Sequence, residues 1–177
     1  PRMAKAQGGV AHCPTSNMRL GSGIAPIVEY QKAGVPVSIA VDGSASNDCS
    51  NMMLEVRNAL LLQRVKNGAK CITAKDVLKM ATLGGAKVLG RDDIGLLKAG
   101  MEADFVGFRL DSLRQAGSST DPLAALVFCA ADNVDLSVVH GELLINDGKF
   151  TRFSDDELSE IVRTQNRRSR ELYFGKA

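Results

Sequence analysis

Two polar stretches hold the side chains able to do chemistry, and each follows an apolar run that stops abruptly. The first is His12-Cys-Pro-Thr-Ser-Asn17, behind Gly9-Val-Ala11, and the second is Asp42-Gly-Ser-Ala-Ser-Asn-Asp-Cys-Ser50, behind Pro36-Val-Ser-Ile-Ala-Val41. A carboxylate at the end of a buried strand, as Asp42 would be, can bind a hard or borderline metal, accept a proton, or do both. Asp-Gly after a strand also makes a turn with no further role. Asp48 is the rival acid, although its place deep in the loop suits a cap on the following helix. Ser16, Asn17, Ser46 and Asn47 offer hydroxyl and amide groups to a ligand, and the same residue types make turns and helix caps.

What is missing narrows the chemistry. The chain has two histidines, His12 and His140, with no H-x-H or H-E-x-x-H, so it cannot supply a three-ligand catalytic metal site from these residues. His12 reads as a hydrogen-bonded core residue of its strand and His140 as a structural residue of a late strand. Cys13, Cys49, Cys71 and Cys129 lack C-x-x-C spacing and fit buried reduced thiols. Gly21-Ser-Gly23 matches neither G-x-G-x-x-G nor a P-loop. A net charge of +2, from 22 basic and 20 acidic residues among 177, gives no strong field for nucleic acid or an anionic membrane. Arg163, Arg167, Arg168 and Arg170 form the basic cluster, expected on a solvated helix end. No apolar run approaches the roughly 18–20 residues that cross a bilayer, and no signal peptide is visible, so a cytoplasmic protein is expected.

The elements that must position these groups follow from pattern. Gly9–Cys13 and Pro36–Val41 read as buried parallel strands, with Ile24–Ala33 as a helix between them that closes on Gly34, a βαβ unit. Met52, Met53, Val56, Ala59 and Leu60 open a long helix that runs to about Val65. Thr73 and Asp76 start another through a capping box, ending near Gly90. After Gly100 the pattern turns to strands, Asp104–Leu110 and Leu136–Ile145, the latter entering the turn Asn146-Asp-Gly148, with Gly107 and Gly141 adding turn or bulge character. Ser154 and Glu157 cap a terminal helix. Arg2–Gln7 reads as the last turns of a helix, so a portion preceding Pro1 is expected. Alone, the two strands would leave Val10, Ala11, Val37 and Ile39 exposed on unpaired edges.

Three ordered blocks carry a resemblance: His12-Cys-Pro-Thr-Ser-Asn17; Val41-Asp-Gly-Ser-Ala-Ser-Asn-Asp48; and Thr82-Leu-Gly-Gly-Ala-Lys-Val-Leu-Gly90 with Gly95-Leu-Leu-Lys-Ala-Gly-Met-Glu-Ala-Asp104. Together they resemble the chlorohydrolase and guanine-deaminase branch of the amidohydrolase superfamily, from the first strand to about Phe150. Met18-Arg-Leu-Gly-Ser-Gly-Ile-Ala-Pro26 is most similar to its 8-oxoguanine deaminases and hydroxydechloroatrazine ethylaminohydrolases. The resemblance implies an α/β fold, the C-terminal part of a distorted (β/α)8 TIM barrel with a share of a small β-sandwich domain. Residues 1–100 would hold the last two βα units and the following helix, 101–150 the β-domain strands and 151–177 the terminal helix.

It further implies a hydrolase acting on C–N bonds of cyclic amidines, deaminating 8-oxoguanine or a related purine or pterin with release of ammonia. A triazine amino- or chlorohydrolase and a non-catalytic scaffold are the alternatives. Asp42 would bind the divalent metal, zinc or alternatively iron, one per site, and handle the proton of the attacking water. Ser16, Asn17, Arg19, Ser46 and Asn47 would line the substrate pocket, with Arg19 approaching a ring oxygen. The partners implied are a small heterocyclic substrate, the N-terminal half of the barrel with its histidines, and further copies of the chain in a homo-oligomer, with neither nucleic acid nor membrane.

Overall fold

The computed structural model describes residues 2–129 and 133–175. After a short helix α1 (Arg2–Lys5), strand β1 (Val10–His12) pairs in parallel with β2 (Val37–Ile39), Val10 facing Val37 and His12 facing Ile39. The connection between them holds two helices, α2 (Pro14–Arg19) and α3 (Ile27–Lys32). Only α3 is expected from the sequence. The segment after His12 reads as a loop, yet Pro14 starts a helical turn because its fixed φ and missing N–H suit a first helical position.

α4 (Met52–Asn67) begins where the Asn51 side chain accepts the Met53 and Leu54 N–H groups, which would otherwise be unpaired. Its inner face, Val56, Ala59, Leu60 and Gln63, repeats at helical spacing and is almost wholly buried. α5 (Ala74–Lys79) starts at the expected Thr73/Asp76 capping box and continues through a π turn, Met80–Gly84, into α6 (Gly85–Leu89). Ile27, Val37, Ile39, Val56, Leu60, Ile72, Val77, Met80 and Val127 form one apolar core between the parallel strands and these helices. Val37 and Ile39 are therefore covered, contrary to the exposure expected for them; helices shield the strand faces while Ala11 stays exposed.

Beyond residue 100, β3 (Phe105–Gly107), β4 (Leu136–Val139), β5 (Glu142–Asn146) and β6 (Lys149–Phe150) form an antiparallel sheet in sequence order. The single strand expected over Leu136–Ile145 is two, because His140 (φ 49°) and Gly141 (φ 76°) both take the left-handed conformation of a tight hairpin turn. The expected turn at Asn146–Gly148 links β5 to β6. A 3-10 turn (Leu113–Gln115) and α7 (Pro122–Phe128) lie between β3 and β4, and α7 packs on α4 and α5.

α8 (Asp155–Phe174) has the expected Ser154/Glu157 box and no buried residue. The arginine cluster lies inside it rather than in its last turn, since the helix runs on through Glu171–Phe174. Among the described residues, no helix is long and apolar enough to cross a membrane.

Candidate active site at the ends of the parallel strands

Because β1 and β2 are parallel and in register, their C-terminal ends release two loops side by side, the first wound into α2. Such strand ends are where α/β folds gather reactive groups. The chain leaves β2 and turns at Asp42, whose φ of 67° lies in the left-handed region that aspartate tolerates better than most residues. The Asp42 carboxylate draws donors from both loops. Its Oδ2 accepts the hydroxyls of Ser16 (2.6 Å) and Ser46 (3.1 Å), and its Oδ1 accepts the Gly43 N–H (2.8 Å). The Ser16 hydrogen bond, then those of Gly43 and Ser46, hold this carboxyl below the usual range against a small opposing effect of desolvation. Asp42 is exposed and charged at neutral pH.

Deeper in the site lies Glu55, which sequence reasoning missed. It is fully buried in the first turn of α4 and accepts the Thr15 N–H on Oε2 (3.0 Å) and the Asn47 amide on Oε1 (2.9 Å). The signal was present, since Glu55 falls among the apolar positions Met52, Val56 and Ala59, whereas an acidic residue that only complements the helix dipole belongs on the solvent face. Asn47 is also fully buried. Its Nδ2 donates a second hydrogen bond to the Val41 carbonyl (2.9 Å) and its Oδ1 accepts the Ser50 N–H (3.2 Å). Asn58 secures the first loop by donating to Thr15 Oγ1 (2.9 Å).

Of the other candidates, Asn17 lies half-buried in α2, and Arg19, at the end of that helix, forms an exposed ion pair with Asp48 that ties the two loops at their rim. His12 is 2% exposed, and its Nε2 has no hydrogen-bond partner among the described residues. Burial pushes its pKa down to about 4, against an upward pull from Glu55, so the imidazole is neutral at pH 7. Burial, then the negative charges of Asp42 and Glu55, push the Cys13 thiol up. His140 stands apart in the β4–β5 turn, with Nδ1 2.6 Å from Glu102 Oε2.

The described residues include no group of three His, Cys, Asp or Glu side chains able to hold a metal. Asp42 nevertheless fits as one ligand of a divalent ion. It is charged, solvent-facing, and its Oδ1 receives a single hydrogen bond from the described residues, so a lone pair is left for a cation.

A family model described as the amidohydrolase family matches residues 2–144. The chain is 54% identical over 147 residues to an 8-oxoguanine deaminase of Pseudomonas aeruginosa, an alignment covering 83% of this chain and 32% of that protein. A 5-methylthioadenosine/S-adenosylhomocysteine deaminase of Pelotomaculum thermopropionicum is 40% identical over 154 residues, 85% of this chain and 35% of the relative. The crystal structure of an atrazine chlorohydrolase from Arthrobacter aurescens complexed with zinc superposes with a TM-score of 0.86 at 35% identity, covering 94% of this chain and 37% of that one. The chain thus spans about a third of the length of the curated relatives it matches.

Proposed function

The chain belongs to the amidohydrolase family, and on that basis we propose that it contributes the proton-handling carboxylate to a metal-dependent deaminase of an amino-substituted heterocycle, 8-oxoguanine or a related purine or pterin. The observation that carries this reading is Asp42, a charged, solvent-facing carboxylate just past the end of a parallel strand, held by hydroxyls from α2 and from its own loop. The 54% identity to an 8-oxoguanine deaminase supports the choice of ring.

In this proposal residues 1–100 are the last two βα units of a distorted TIM barrel with the following helix, 101–150 part of a small β-sandwich, and 151–177 a terminal helix. Polypeptide outside these residues supplies the remaining metal ligands. A divalent metal, zinc in the related chlorohydrolase structure, would supply Lewis acidity that acidifies water, the chemistry needed when the base is as weak as this carboxylate. Asp42 would be one of the residues that hold this metal; its carboxylate takes the proton of the water whose oxygen adds to the ring carbon and passes it to the amino nitrogen, which leaves as ammonia when the C–N bond breaks. Ser16 and Ser46 keep the carboxylate oriented while it does so. Asn17 and Arg19 face the ring, Arg19 exchanging Asp48 for a ring oxygen, and Asn47 shapes the pocket by fixing its loop.

The test is ammonia release from 8-oxoguanine, guanine and pterins by the zinc-loaded full-length protein and by its Asp42→Asn variant. The wild type is expected to turn over at least one ring, and Asp42→Asn to lose about a thousandfold in kcat while staying folded, since an amide cannot take the proton. Near-normal turnover by the metal-loaded variant would sink the role of Asp42. The likeness to the atrazine chlorohydrolase favours a second reading, hydrolysis of a substituted triazine, which chloride release from a chlorotriazine would reveal.

A further inference from the structure

We propose that Glu55 is a positioning residue that locks the two loops so that Ser16 and Ser46 converge on Asp42. Its bearing on turnover rests on the role proposed above for Asp42.

The geometry pairs neighbours. Ser16 donates to Asp42 while the residue before it, Thr15, gives its backbone N–H to Glu55. Ser46 donates to Asp42 while the residue after it, Asn47, gives its side-chain amide to Glu55. Each loop is thus pinned at two adjacent residues, to Asp42 at the surface and to Glu55 inside. Asn47 extends the lock to the backbone of Asp42, because its Nδ2 also holds the carbonyl of Val41, the residue just before it. Glu55 itself is fixed. It sits one turn from the Asn51 cap of α4, next to Val56 and one turn from Ala59, both in the core.

A helix residue kept wholly from water is cheapest when apolar, and a carboxylate there is tolerated only when donors meet it. Among the described residues the donors come from α2 and the loop after β2, the two segments that carry the hydroxyl partners of Asp42. Neither loop can shift without stranding a buried donor. A residue whose only task was to fill the core under α4 would not need this arrangement.

The test uses the full-length, zinc-loaded protein with Glu55→Ala, Glu55→Gln and, as control, Gln63→Ala, which removes another fully buried polar side chain two turns along the same helix. Steady-state kinetics, zinc retention against a chelator and hydrogen exchange at the Thr15 backbone N–H and the Asn47 side-chain amide are read for each. Glu55→Ala is expected to lower kcat and zinc retention about 10- to 100-fold, with KM changed much less, and to speed exchange at both amides. Glu55→Gln keeps the shape and one acceptor but turns an amide N–H toward the other donor, so it should fall between Glu55→Ala and wild type. Gln63→Ala should cost stability and leave kcat and zinc retention alone.

A Glu55→Ala protein with wild-type kcat, zinc retention and exchange would overturn the proposal. So would an equal loss of kcat in Gln63→Ala, because Glu55 would then be acting only through stability. If Glu55→Ala does not fold, Glu55→Gln decides by the same three readouts. If the wild type releases ammonia from no ring, the deaminase reading fails, and amide exchange still tests Glu55: unchanged protection at Thr15 and Asn47 in the variants would refute the lock.

Discussion

Adjacent glycines in the helix behind β2 should respond oppositely to the same substitution. A Cβ built on Gly84 would lie 2.2 Å from the carbonyl oxygen of Val37 and 3.3 Å from that of Lys79, so the obstacle is backbone on both sides. Carbon and carbonyl oxygen approach to roughly 3.3 Å, which means the helix and β2 must part by about 1 Å. Overpacking of this kind costs about 1–3 kcal/mol, and with no flexible side chain to yield, the upper end applies. The gain from replacing a helical glycine by alanine, about 1 kcal/mol, offsets part of it, leaving Gly84→Ala less stable by about 2 kcal/mol. Gly85 is helical too, with φ −58° and ψ −50°, and its Cβ would meet nothing within 4 Å. Gly85→Ala should therefore be more stable than wild type by about 0.5–1 kcal/mol. The assay is urea unfolding of the full-length protein, comparing midpoints at unchanged slope. Because Asp42 lies only three residues beyond the end of β2, Gly84→Ala should also lose turnover and Gly85→Ala should not. Equal or greater stability of Gly84→Ala relative to Gly85→Ala would refute the close approach of this helix to β2.

Two further outcomes follow from other contacts. The pKa of His12, about 4 in the folded protein, lies below the usual 6.5 or so. The unfolded state therefore binds more protons between these values, and the stability contributed by neutral His12 is full above about pH 6.5 and is lost as pH falls toward 4, up to about 3 kcal/mol. The urea midpoint of wild type should fall more steeply than that of His12→Gln between pH 7 and 4.5, with zinc content at pH 7 equal in the two; parallel slopes would contradict the burial of this imidazole. Arg19→Ala breaks an exposed ion pair, so it should change stability by less than about 1 kcal/mol while raising KM about tenfold with kcat kept. An unchanged KM would remove Arg19 from the pocket.

The elements with strong local signals were legible in the sequence. The strands ending at His12 and Ile39, the Thr73/Asp76 and Ser154/Glu157 boxes and the Asn146–Gly148 turn all depend on residues close in the chain. Elements set by distant partners were not. Pro14–Arg19 looked like a loop because Ser16 and Asn17 suit loops, and it is a helix whose first turn is tied by contacts 40 residues away. The break at His140 was only partly visible: Gly141 gave turn or bulge character, but the apolar pairs Val138-Val139 and Leu143-Leu144 on either side read as one strand, which the left-handed pair His140-Gly141 divides. Glu55 is a mixed case: its place among Met52, Val56 and Ala59 marks it as inward-facing, but not what it meets there. Its burial follows from donors contributed by two loops, and helical periodicity alone carries no trace of them.

Local sequence left Asp42 between two readings, a turn residue or a reactive carboxylate, and the geometry makes them one. A non-glycine residue at φ 67° is strained by about 1 kcal/mol, and glycine would make the same turn without that cost. What glycine lacks is the carboxylate that the turn brings within reach of Ser16, Gly43 and Ser46. The left-handed bend and the three donors depend on each other: the bend gives the carboxylate its partners, and the partners offset the strain while keeping the group charged. An alanine at this position would keep the strain and lose the compensation, whereas glycine would make the bend without strain and release both serines. Asp42→Ala is thus expected to be less stable than Asp42→Gly, and Asp42→Gly less stable than wild type; urea unfolding can check the order, and a plain turn residue would instead be stabilised by glycine.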